Sequence, residues 1–198
     1  MIVIGIKRPM KEGQKMTKKI SVFGGASPDP GSEPYQQAYE LGKLLGSAGF
    51  TVLTGGYMGT MEATSRGASE AGAHVIGVTC QEIEHYRPVG PNEWVEEEWA
   101  YETLIDRIKA LVTHCDGAIA LPGGAGTLTE ICMTWNHLII NSIEPKPMIL
   151  MGSGWQKIME TFFHEQGDYI SMKNREYLSF APDPQAALDL LKLFSGLC

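Results

Sequence analysis

Three apolar runs in this chain end abruptly on glycine: ISVFGGAS (20–27), FTVLTGGYMGT (50–60) and DGAIALPGGAGT (116–127). Each leads directly into a stretch with helical periodicity. Parallel strands cannot be joined by a tight hairpin and need a crossover, usually a helix. A repeated order of apolar strand, glycine turn and amphipathic helix therefore implies a parallel sheet covered by helices on both faces. Runs 74–79, 146–152 and 177–181 supply further strands. Helices are expected over 32–49, 60–72, 99–115, 128–141, 155–166 and 184–195.

Local signals support several of these boundaries. Ser32 is placed as an N-cap with Pro34 in the first turn, and Gly49 as the stop. Leu104, Ile108, Leu111 and Val112 share one face of the 99–115 helix. Residues 80–98 (CQEIEHYRPVGPNEWVEEE) break the rhythm with two prolines and a glycine, and read as a long surface excursion. The chain is 43% hydrophobic and 20% charged, a balance that suits a buried core of this size. Residues 18–198 are expected to form one doubly wound, Rossmann-like α/β domain. Residues 1–17 read as a disordered lead-in: MIVIGI is too short for the apolar core of a signal sequence, and KRPMKEGQKMTKK is polar and basic.

Composition excludes several classes of function. A formal net charge of -7 repels phosphate backbones, so nucleic acid is not an expected partner, although a local site can still hold a small anion. No run approaches the length of a membrane span. The four cysteines and five histidines show neither CxxC nor HxxxH spacing, which argues against metal and for reduced thiols in a cytoplasmic protein.

In an open parallel sheet, ligands bind beyond the carboxyl ends of the strands, where strand order reverses. All the glycine turns fall at such ends. Gly123, Gly124, Gly126 and Thr127 form a candidate phosphate cradle at a helix N-terminus, with Ser27 and the turn carrying Gly55, Gly56, Gly59 and Thr60 as the other wall. The stretch is neither a Walker A loop nor a GxGxxG fingerprint. Taken alone, Thr127-Leu128-Thr129-Glu130 also fits a capping box, with Thr127 as N-cap, and Arg107 also fits a solvated arginine on the polar side of a helix.

Together these residues resemble the LOG (Lonely Guy) family of cytokinin riboside 5′-monophosphate phosphoribohydrolases. PGGAGTLTE (122–130) fits the family's PGGxGTxxE, TGGYMGTMEATSRGA (54–68) resembles its GGGxxGxMxAxxxGA, and Arg107 stands 23 residues before Glu130, as the family's arginine and glutamate do. The resemblance runs roughly from Lys19 to Leu150. It implies hydrolysis of the N-glycosidic bond of a nucleoside 5′-monophosphate, AMP or a cytokinin riboside monophosphate, with Arg107 and Glu130 as catalytic residues, no metal or other cofactor, and a homodimer. This chain departs from the pattern at Ile108, where the family usually has lysine, at Tyr57, where it often has a third glycine, and at Thr129, where plant members commonly carry glutamate. Two other readings follow from related proteins. One is a molybdenum-cofactor carrier that uses the same cradle without hydrolysis. The other is a pyridoxal-phosphate decarboxylase, which needs a Schiff-base lysine such as Lys109 or Lys146. Met133, Trp135, Leu138, Ile139 and Ile140 give one helix enough apolar surface for a core, a dimer face, or both.

Overall fold

The computed structural model describes residues 17–195, so the expected lead-in over 1–17 lies almost wholly outside the described residues. Seven strands form one fully parallel sheet among them: β1 (Lys19–Phe23), β2 (Thr51–Thr54), β3 (Val75–Cys80), β4 (Glu97–Tyr101), β5 (Gly117–Ala120), β6 (Met148–Met151) and β7 (Leu178–Ala181). Their order across the sheet is β4-β3-β2-β1-β5-β6-β7. The chain therefore winds outward from β1 in one direction, then returns to β1's other side and winds the opposite way. The reversal lies between β1 and β5, where Ile20 pairs with Gly117 and Phe23 with Ala120.

Alternation along β1 shows how the sheet makes two cores. Ile20 and Val22 face one side and pack with α1 (Glu33–Ser47), α2 (Thr60–Glu70) and α8 (Pro184–Ser195), through Leu41, Leu45, Ala63, Ala68, Leu188 and Leu191. Phe23 faces the other side, with α4 (Leu104–Thr113), α5 (Ala125–Ile139) and α6 (Ser153–Glu165), through Ile108, Leu111, Ile131, Trp135, Trp155 and Met159. Ser21 shares that second face and is fully buried. Its hydroxyl is satisfied by donation to the Leu111 carbonyl at 2.7 Å, as a buried polar group requires.

α1 and α2 lie unusually close because glycines stand at their contact. A Cβ on Gly42 or Gly67 would run into the backbone of the opposite helix. The expected α1 boundaries hold: Ser32 is the N-cap residue, Pro34 sits in the first turn, and Gly49 follows the helix with φ +80°. The Ser32 hydroxyl, however, donates back to the Asp29 carbonyl rather than capping the helix.

Two expectations need correction on the β3 side. The 80–98 excursion contains α3 (Gln81–Tyr86), and residues 97–101 are not helical but form the edge strand β4. Trp99 and Tyr101 pack against the second core, while Glu98 on the opposite side accepts the Thr79 hydroxyl at 2.6 Å. That alternation belongs to a strand. α4 starts only after Thr103, whose hydroxyl accepts the Asp106 amide at 3.1 Å and donates to the Asp106 carboxylate at 2.8 Å. Leu104 is consequently the first helical residue and is exposed, whereas Ile108, Leu111 and Val112 are buried together as expected. A short helix, α7 (Met172–Arg175), precedes β7.

Candidate functional site

Three glycine turns meet at the point of strand reversal. The turn after β1 (Gly24–Ser27) is central. The amide and hydroxyl of Thr60 both donate to the Gly25 carbonyl, each at 3.0 Å. Gly59, at φ +70°, lies flat on the Gly25–Ala26 backbone, and a Cβ there would overlap it. On the other side Gly25 abuts Gly123: a Cβ on Gly25 would stand 3.7 Å from the Gly123 Cα. The β2 and β5 turns are thus both seated against the β1 turn.

α5 begins at Ala125 with Gly124 as its N-cap residue, three residues earlier than the sequence reading placed it. Thr127 is therefore inside the first turn and is not an N-cap, which also removes the capping-box role for Glu130. The cause is local: Gly123 has no side chain, and the Thr127 side chain fills the space a Cβ would take. Leu128 N donates to Gly124 O as the first helical bond, at 3.0 Å. The N–H groups of Ala125, Gly126 and Thr127 precede that bond and point out of the helix end, where the macrodipole favours an anion. Residues 122–126 are exposed, and Cβ atoms at Gly124 or Gly126 would meet nothing within 4 Å.

Glu130 lies one turn further along α5 and is only 7% exposed. Arg107, on the inner face of α4, is only 6% exposed. The reading of Arg107 as a solvated surface charge is therefore overturned. Its Nε donates to the Val78 carbonyl at 2.7 Å and its Nη2 to the Gly55 carbonyl at 3.0 Å, both buried bonds. Nη1 faces Glu130 Oε1 at 4.0 Å. At that separation the charges attract without sharing a hydrogen bond, so both keep hydrogen-bonding capacity for a third group. Burial pushes the Glu130 carboxyl from 4.5 to about 7, with Arg107 pulling the other way. Desolvation wins over the ion pair.

The remaining predicted residues divide by position. Gly55 and Gly56 are buried beneath the site: Gly55 makes room for Arg107, because a Cβ there would strike the guanidinium, and Gly56 takes φ +79°. Gly59 and Thr60 hold the β1 turn, as described. Ser27 is exposed in the β1 turn, two residues after the Gly25 that abuts Gly123. Lys146 is remote: its ammonium donates to the Val112 and Cys115 carbonyls just before β5, at the sheet's opposite end. Lys109 is exposed on α4. Among the described residues no group of three or more His, Cys, Asp and Glu side chains is arranged to hold a metal ion, and no helix is long and apolar enough to cross a membrane.

The SLOG cluster4 family model matches residues 17–178. The chain belongs to that family. This SLOG cluster4 member is 31% identical to the cytokinin riboside 5′-monophosphate phosphoribohydrolase LOG3 of Arabidopsis thaliana, over 93% of this chain and 88% of the relative. It is 34% identical to the enzyme of that name LOG1 from the same plant, over 88% and 81%. Among solved structures, the molybdenum cofactor binding protein of the phototrophic bacterium Rippkaea orientalis superposes with a TM-score of 0.72 at 24% identity, covering 93% of this chain and all of that one. The molybdenum cofactor carrier protein of Chlamydomonas reinhardtii gives 0.70 at 21% identity, with 91% and 99% covered. These two likenesses establish the fold.

Sequence reasoning missed two participants near the site. Tyr57 packs its ring under Arg107, with the guanidinium carbon 5.5 Å from the ring centroid. Asn92 anchors the 55–58 turn from the long α3–β4 connection: its side-chain amide donates to the Gly56 and Tyr57 carbonyls, at 2.9 Å each. The available signal for Tyr57 was its departure from the family's third glycine. Asn92 had no such signal.

Proposed function

We propose that the protein hydrolyses the N-glycosidic bond of a nucleoside 5′-monophosphate of the AMP or cytokinin riboside class, releasing the base and ribose 5-phosphate. The observation that carries this reading is the buried Glu130–Arg107 pair set one helical turn behind the outward-pointing amides of α5. A phosphate held by the amides of Ala125, Gly126 and Thr127, with Gly123, Gly124 and Ser27 shaping the mouth, places the sugar over Glu130. Names of relatives at 31% and 34% identity support the same substrate class.

The chemistry follows from the charges. Departure of the base leaves positive charge on the sugar ring, as in glycoside hydrolysis generally. In its ionised form Glu130 stabilises that cation and accepts a proton from the attacking water. With a pKa of about 7 it is a better base than an ordinary carboxylate and is still substantially ionised at neutral pH. A guanidinium is a hydrogen-bond donor rather than a general acid, so Arg107 has no part in proton transfer. It donates hydrogen bonds to the substrate and helps keep Glu130 anionic. The reaction as written uses no redox step and no cofactor.

A homodimer belongs to this reading. Ile105 on α4 is 73% exposed and Leu128 on α5 is also exposed, so apolar surface borders the site, while Trp135 and Leu138 of α5 are committed to the core. Light scattering of the purified chain tests this point.

The reaction is tested by incubating the protein with a panel of nucleoside monophosphates, including AMP and isopentenyl-AMP, and assaying free base and ribose 5-phosphate. Release by the wild-type chain, with losses of about 100-fold or more in folded Glu130→Ala and Arg107→Ala, is expected, since each removes charge stabilisation at the reacting centre. Tight binding with no release would identify a carrier, and unchanged turnover in both variants would remove the catalytic assignment.

A further inference from the structure

We infer that Tyr57 is a positioning residue: its ring fixes the plane of the Arg107 guanidinium so that Nη1 faces Glu130, and its hydroxyl ties that ring to the β3–α3 junction. The inference rests on the catalytic reading of Arg107 and Glu130 given above.

The geometry of Arg107 requires a third constraint. The bonds from Nε to Val78 O and from Nη2 to Gly55 O secure two of the three guanidinium nitrogens, both along one side of the group. Two bonds on one side leave a hinge about the line joining them. The Tyr57 face, centred 5.5 Å from the guanidinium carbon, blocks that rotation and attracts the cation electrostatically. Nη1 is the nitrogen left to meet Glu130, 4.0 Å away.

Tyr57 is itself held at both ends. Its hydroxyl accepts the Cys80 amide at 2.8 Å and has the Cys80 carbonyl at 3.1 Å and Glu84 Oε1 at 3.2 Å as competing acceptors for its one proton. Its backbone carbonyl accepts from Asn92. Burial pushes the phenol up to about 12, so Tyr57 stays neutral and supplies no acid or base. The β3–α3 junction and the α3–β4 connection thus reach the catalytic pair through one aromatic ring. Glycine at this position would provide neither the face nor the hydroxyl anchor.

Tyr57→Leu and Tyr57→Phe, made in the full chain, test the assignment with two readouts. The first is the titration midpoint of Glu130, followed by carboxyl infrared absorption and assigned by difference from Glu130→Gln. The second is the separation of kcat from KM for base release. In Tyr57→Leu the midpoint is expected to rise by about one pH unit as the arginine swings away. kcat is expected to fall by about 10- to 100-fold with KM within about twofold. Tyr57→Phe keeps the ring and should hold the midpoint near the wild-type value, with kcat within about threefold. The inference is overturned if Tyr57→Leu leaves the midpoint in place, or if Tyr57→Phe shifts it as far as leucine does. The titration needs no substrate, so a wild-type chain that releases no base defeats the proposed reaction while leaving this test intact.

Discussion

Glu130→Gln should make the protein more stable in mild alkali while abolishing its hydrolytic activity. A carboxyl whose folded pKa lies above its unfolded value binds its proton more tightly in the folded chain. The stability linked to that proton is complete below about 4.5 and is lost as pH rises through about 7. The interval between 4.5 and about 7, at about 1.4 kcal/mol per pH unit, amounts to about 3 kcal/mol of lost stability once Glu130 is fully ionised. Near-complete burial means solvent does little to reduce that figure. Glutamine has the shape of the protonated acid and does not titrate. Urea unfolding at pH 8.5 should therefore favour the variant by about 3 kcal/mol, and at pH 5 by under about 1 kcal/mol. An advantage that is the same at both pH values, or a loss at pH 8.5, would mean that the ionised carboxylate is well accommodated and that its raised pKa is wrong.

Other perturbations probe neighbouring links. In the pH profile of kcat/KM, activity should fall on the acid side with a midpoint near 7 as Glu130 gains its proton; a limb only near about 6 would report the substrate phosphate instead. Gly123→Ala forces a Cβ into the Thr127 side chain and should cost about 1–3 kcal/mol in thermal unfolding, whereas Gly124→Ala, which meets nothing within 4 Å, should cost much less. Thr103→Ala removes the hydroxyl that accepts the Asp106 N–H and should cost about 1 kcal/mol in denaturant unfolding, with little effect on the Arg107 anchors one turn away.

The strand–glycine–helix rhythm was a strong enough signal to show the doubly wound class and the edge at which the turns collect. Those features follow from backbone connectivity and from periodicities that a single sequence displays. What escaped were features decided by contacts distant in sequence. Trp99-Ala100-Tyr101 has an apolar–small–apolar pattern compatible with helix or strand, and pairing with Val78 through Cys80 decides for strand. Thr103 and Asp106 carried a local cap signature that would have moved the α4 start, but the apolar residues just before it masked the boundary. Arg107 looked like a surface residue because its acceptors, Val78 O in β3 and Gly55 O in the turn after β2, are backbone groups distant in sequence. The family motif names Arg107 and Glu130 together, and the fold sets them 4.0 Å apart, a proximity that nothing in the spacing alone implies.

β4 ends the sheet, and its outer side has no strand partner among the described residues. An open row of backbone donors and acceptors invites a foreign strand to add on, the usual first step toward aggregation. Glu96, Glu97 and Glu98 crowd this border with negative charge, with His74 engaging the first two. A second copy approaching edge to edge would bring two such acidic rows together, so electrostatic repulsion guards the margin of the sheet that hydrogen bonding leaves open.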